Sequence, residues 1–87
     1  MAGEVDLKDL EQRAIAGDSR AQMEWAMCCF DGQGVPQNPE LAVEWLLKAA
    51  AQKNHDAQYF LAICYENGEG VEKDEAKAKE YYAMCGM

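Results

Sequence analysis

The chain has 87 residues, with 16 acidic side chains against 8 basic ones and a formal net charge of −8. That length allows one compact unit with a modest core, and 49% hydrophobic residues is too many for a disordered chain. An acidic surface repels phosphate backbones and anionic membranes, so nucleic acid and membrane are not expected as partners; a basic protein surface fits better, although acidic charge is also an ordinary device for solubility.

The opening run Met1-Ala2-Gly3-Glu4-Val5-Asp6 has no basic stretch followed by an apolar one, which argues against a secretory signal, although a mature secreted form would look the same. No apolar run approaches the ~20 residues needed to span a bilayer. A cytoplasmic location is expected.

The first helix is predicted near 5–16, with Leu10 and Ala14 on its apolar side. Asp18-Ser19 reads as the start of a second helix over 19–31, with Ser19 as a capping residue. Its apolar stripe runs through Ala21, Trp25, Cys28 and Cys29 at helical spacing. Gly32 then looks like a C-terminal stop with positive φ, Gly34 lets the chain reverse tightly, and Val35 returns an apolar side chain to the gap between helices. Asn38-Pro39 opens a third helix over 39–51, with Pro39 at its first position. Leu41, Ala42, Trp45, Leu46 and Ala49 form its apolar side, and Glu40, Glu44 and Lys48 its polar side. A fourth helix, near 55–67, carries Ala57, Leu61, Cys64 and Tyr65; Gly68, Gly70 and Val71 follow it as Gly32, Gly34 and Val35 follow the second. Asp74 opens a fifth helix over 74–85, with Ala78, Tyr81 and Tyr82. β-Branched residues are sparse and threonine is absent, which argues against strands.

The elements repeat. A shift of 36 residues lays Ala21-Gln22 on Ala57-Gln58, Ala26 on Ala62, Cys28 on Cys64 and Gly32 on Gly68. It also lays Gly34-Val35 on Gly70-Val71, Ala42 on Ala78, Glu44 on Glu80 and Trp45 on Tyr81, and carries Leu10 and Ala14 onto Leu46 and Ala50. The expected fold is an all-α, α/α solenoid of about two and a half helix-turn-helix repeats: one domain over 1–87, with an opening half repeat at 5–17, repeat one at 18–53 and repeat two at 54–87. The alanines belong where helix axes approach to ~8–10 Å, and Trp45 and Tyr81 fill the wider space between units.

No catalytic or metal-binding constellation is legible. Cys28, Cys29, Cys64 and Cys85 contain no Cys-x-x-Cys spacing, and His55 is the sole histidine. Reduced, mostly buried thiols in a reducing compartment are expected, with no intrachain disulfide. Ser19, the sole serine, has no base assigned to it, and the Gly-x-Gly turns follow helices and lack the rest of a nucleotide motif. Glu66 and Glu69 read as a charged loop. The chain is therefore expected not to be an enzyme and to need no cofactor.

The pattern resembles the Sel-one-like repeat family, a relative of the tetratricopeptide repeats. The first unit carries the resemblance in Ala21, Ala26, Gly32-x-Gly34-Val35, Ala42, Trp45 and Ala49-Ala50. The second carries it in Ala57, Leu61-Ala62, Tyr65, Gly68-x-Gly70-Val71, Asp74, Ala76-Lys77-Ala78 and Tyr81-Tyr82, so that the likeness covers residues 7–85. Cys29 stands where the family prefers tyrosine, Trp25 where it prefers leucine, and Phe30 where a polar residue is common. The resemblance implies stacked helix pairs, a curved surface that binds proteins or peptides, and no cofactor or catalytic group.

The second helix is apolar almost all round, from Met23 to Phe30. The candidate docking surface is accordingly the outward side of the first helix of each repeat: Met23, Glu24, Met27 and Phe30, with Tyr59, Phe60 and Ile63. Glu24, Asp31 and Glu66 around it would favour a partner with basic groups around an apolar centre. The same residues could instead simply fill a small core. Self-association, membership of a longer array, and inhibition of a basic partner protein remain alternatives.

Overall fold

The computed structural model describes residues 6–86 and contains five helices: α1 (Leu7–Ile15), α2 (Ser19–Asp31), α3 (Pro39–Ala51), α4 (His55–Asn67) and α5 (Glu75–Met84). No strand occurs among the described residues. Val5, the expected start of the first helix, lies outside them. Every helix begins behind a short side chain that accepts backbone N–H groups of its first turn: Asp6, Asp18, Asn38, Asn54 and Asp74. These caps correct two expectations. Asp18, not Ser19, caps α2, because its carboxylate reaches the N–H groups of Arg20 and Ala21 at 3.0 and 3.2 Å. The fifth helix begins one residue after Asp74, whose side chain serves the Lys77 N–H instead.

The two glycine stops are as the sequence predicts. Gly32 and Gly68 have φ of 70° and 73°, and each donates its N–H to a carbonyl of the turn before, at Cys28 and Cys64. One further bond repeats in register, with Asn38 N–H reaching Cys29 O and Asp74 N–H reaching Tyr65 O, both at 2.8 Å. It folds each connection back onto the helix it leaves. Between repeats the turn is Gln52-Lys53-Asn54, where Lys53 takes a φ of 65°. The 36-residue shift places Gly17 at the same point of the first turn, with a φ of 105°. Lysine holds a left-handed conformation there that costs it ~1 kcal/mol relative to glycine.

Consecutive helices pack on one another, α1 on α2, α2 on α3, α3 on α4 and α4 on α5. The start of α2 and the start of α4 both lie at the end of α3, through Gln52 to Gln22 and Gln58 to Ala50. α2 and α4 therefore run in the same direction and α3 runs against them. Ala26, Ala42, Ala62 and Ala78 are buried, in keeping with close helix approach. Leu10, Leu46 and Leu61 fill the centre beside Trp25 and Tyr65. Tyr81 stacks on Tyr65 with centroids 5.7 Å apart and planes 4° off parallel.

One expected core position shifts. Cys28 is only half-buried while Cys29 is buried; in the second repeat both Cys64 and Tyr65 are buried. Cys64 lines a space shared with Met27 and Phe30 of α2, whereas no earlier first-in-repeat helix precedes Cys28 among the described residues.

The stripe that each second-in-repeat helix offers to the next unit also changes along the array. It is Leu7, Leu10 and Ala14 in α1, and Val43, Leu46 and Ala50 in α3. On α5 the equivalent residues are Lys79 and Tyr82, followed by Gly86 just beyond its end. At the other end, Asp9 and Arg13 stand where α3 has Trp45 and Ala49, and pair with each other at 3.1 Å. Both outer faces thus carry charge where the interior repeat carries apolar side chains.

Candidate protein-docking surface

α2 and α4 lie side by side with their C-terminal halves leading to the two glycine turns. Burial of Ala21, Trp25 and Cys29 in α2, and of Ala57, Leu61 and Tyr65 in α4, fixes the phase of both helices. Helical spacing then turns Met27 and Phe30 toward Phe60 and Ile63. These four side chains, each half-buried, form the walls of an open groove of about 440 Å³. Pro39, at the start of α3, and the buried Cys64 also line it. Gln37 lies at its edge, tied down by a 2.8 Å bond from its Nε2 to the Phe30 carbonyl oxygen.

Asp31 and Glu69 are the charged residues lining the groove, and no lysine or arginine joins them among the described residues. Asp31 is the last residue of α2, and Glu69 follows the glycine that ends α4. Both carboxylates therefore sit at the same end. Burial, then the nearby Glu69 carboxylate, pushes the Cys64 thiol up to about 11. At neutral pH the groove presents a neutral, unreactive thiol, and its charge comes from the two acidic side chains.

The remaining sequence candidates lie outside this groove. Met23 is half-buried and packs on the core. Glu24 pairs with Arg20 one turn earlier at 3.7 Å. Tyr59 is exposed and stands edge-on to Phe60 and to Tyr82, at 6.1 and 6.0 Å between centroids. Tyr82 in turn donates its hydroxyl to Glu66 at 3.0 Å, so Glu66 is engaged by α5 rather than by the groove. Four of the seven candidates come together; Met23, Glu24 and Tyr59 do not line the groove with them. Glu69, Gln37 and Pro39 were not singled out for this role from the sequence. Helix phase alone does not show which connections close over the C-terminal halves of α2 and α4.

Other chemistry is sparse. The described residues contain no group of three or more His, Cys, Asp or Glu side chains placed to hold a metal ion. No helix among them is long and apolar enough to cross a membrane.

Comparison with known proteins agrees with this architecture. A family model described as Sel1 repeat matches residues 19–54 and 55–84. The structure is similar to that of a protective antigen of uropathogenic Escherichia coli, c5321, which displays an SLR fold: 35% identity over 94% of this chain and 18% of that one, with a TM-score of 0.91. It is also similar to a Sel1 repeat protein from Oxalobacter formigenes, with 29% identity, 91% of this chain and 60% of that chain covered, and a TM-score of 0.89. The chain spans less than two thirds of either protein. With two repeats matched in sequence and the solenoid matched in structure, the chain belongs to the Sel1 repeat family, helical modules generally used for protein–protein interaction and typically without enzymatic activity.

Proposed function

We propose that this protein is an interaction module or adaptor, and that a protein or peptide docks on the surface of its first-in-repeat helices, centred on the groove between α2 and α4. The observation that carries the reading is the meeting of Met27 and Phe30 from one repeat with Phe60 and Ile63 from the next. Methionine's flexible, polarizable side chain and flat aromatic rings adapt to a partner's shape, and both are enriched at protein interfaces. Met23, Glu24 and Tyr59 are peripheral contacts in this reading. A reducing, cytoplasmic setting suits the four free thiols.

Self-association by end-to-end stacking is the weaker reading, because Lys79 and the Asp9–Arg13 pair occupy the faces that would have to meet. The test is capture of partner from native lysate by wild type and by Met27→Gln and Phe60→Ser, with melting temperatures measured alongside. Docking predicts loss of capture with little change in melting. If either replacement unfolds the protein, that residue is core and the placement fails.

A further inference from the structure

The groove has a direction. α2 and α4 run the same way, so their C-terminal ends, each the negative end of a helix dipole, converge on one end of it. Neither last turn carries a basic residue to offset that charge. Asp31 and Glu69 stand at the same end and add two carboxylates to it. The other lining residues used above are apolar, Gln37 apart. An apolar floor with negative charge gathered at one end does not suit an arbitrary peptide, and the net charge of −8 reinforces the same preference.

Resting on the docking reading above, we infer that the ligand is an internal peptide segment with an apolar anchor beside an arginine or lysine, the anchor lying among Met27, Phe30, Phe60 and Ile63 and the cation at the turn end against Asp31 and Glu69. An acidic segment would meet like charge there, and so would a free C-terminal carboxylate. Specificity therefore comes as much from what the rim rejects as from what it attracts. Both carboxylates are exposed, so the preference weakens as salt screens them.

The experiment uses nine-residue peptides, acetylated and amidated so that their ends are neutral. Each has a central phenylalanine or leucine, and arginine or its neutral isostere citrulline at each neighbouring position in turn. Fluorescence polarisation reads affinity for wild type and for Asp31→Asn/Glu69→Gln. The expected result is an arginine peptide that binds wild type about tenfold more tightly than its citrulline twin at low salt. That gap should close at high salt and in the double variant, whose melting temperature stays at the wild-type value. Equal affinity for both peptides, a gap that survives in the double variant, or no binding by any peptide would overturn the inference. Phe60→Ser and Met27→Gln separate it from the docking reading. Peptide binding lost in these folded variants, but indifferent to arginine, keeps the groove and removes the charge rule. Arginine-dependent binding that both variants retain removes the groove itself.

Discussion

Gln22 and Gln52, thirty residues apart, are joined by a 3.0 Å hydrogen bond from the amide nitrogen of the second to the amide oxygen of the first. Gln22 also donates to the Ala14 carbonyl at 3.1 Å, and Gln52 to the Gly17 carbonyl at 2.9 Å. Two side chains thus fasten the end of α1, the start of α2 and the end of α3 together. Gln58 repeats only the first part, donating to the Ala50 carbonyl at 3.4 Å, while its buried oxygen has no donor among the described residues.

That asymmetry predicts unequal mutational costs. Gln22→Met breaks the clasp, removing both the side-chain bond to the Ala14 carbonyl and the acceptor of the Gln52 amide, at a cost of about 1–2 kcal/mol. Gln58→Met loses a longer bond but also removes an unpartnered buried oxygen, and should cost under about 1 kcal/mol. Urea denaturation of both variants measures the difference; equal losses would contradict it.

The glycine turns are likewise unequal. Gly68→Ala places a side chain at φ 73° with its nearest neighbours at 3.4 Å, so it carries mainly the backbone cost of about 1 kcal/mol. At Gly70, φ is 71° and an added Cβ would lie 2.5 Å from the Pro39 carbonyl oxygen and 2.9 Å from Val43 Cγ2. Backbone cannot rotate away as a side chain can. Gly70→Ala should therefore lower stability by at least about 2 kcal/mol, and thermal melts should rank it clearly below Gly68→Ala.

Alkaline pH offers a third check. The Cys64 thiol, at about 11 when folded against an ordinary 9.0, ionises more readily in the unfolded chain. Its contribution to stability is complete below about pH 9 and is lost as pH rises toward about 11. Over that window, stability should fall less in Cys64→Ala than in wild type, by an amount on the order of 2 kcal/mol. Parallel pH profiles for the two proteins would show that the buried thiol is not the cause.

A fourth prediction concerns the outward face of α5. Stacking a second copy on α5 would bury the Lys79 ammonium at a position where Val43 is packed away in the interior repeat. An unpaired buried charge costs several kcal/mol, so sedimentation at micromolar concentration should give the mass of a single chain. Lys79→Val restores the interior residue and should raise the tendency to associate. A wild-type dimer whose mass is unchanged by this substitution would point to a different contact.

The sequence by itself determined the helices, their stops and the phase of the repeat, because each depends on nearby chain. Asp18, Asn38, Asn54 and Asp74 cap within three residues, Gly32 and Gly68 need only their own left-handed φ, and alanine spacing reports helical period directly. Outward placement of Met27, Phe30, Phe60 and Ile63 followed from the same periodicity. Only the tertiary structure decided that these four share one groove with Asp31 and Glu69, and that Tyr59 turns instead to Tyr82. It alone showed that Gln22 and Gln58 are buried, where a polar side chain in the pattern gives no sign of it, and that Gly70 lies against the Pro39 carbonyl. The physical reason is that backbone conformation is set by a few neighbouring residues, whereas burial and side-chain partnership depend on which distant segment covers a given face.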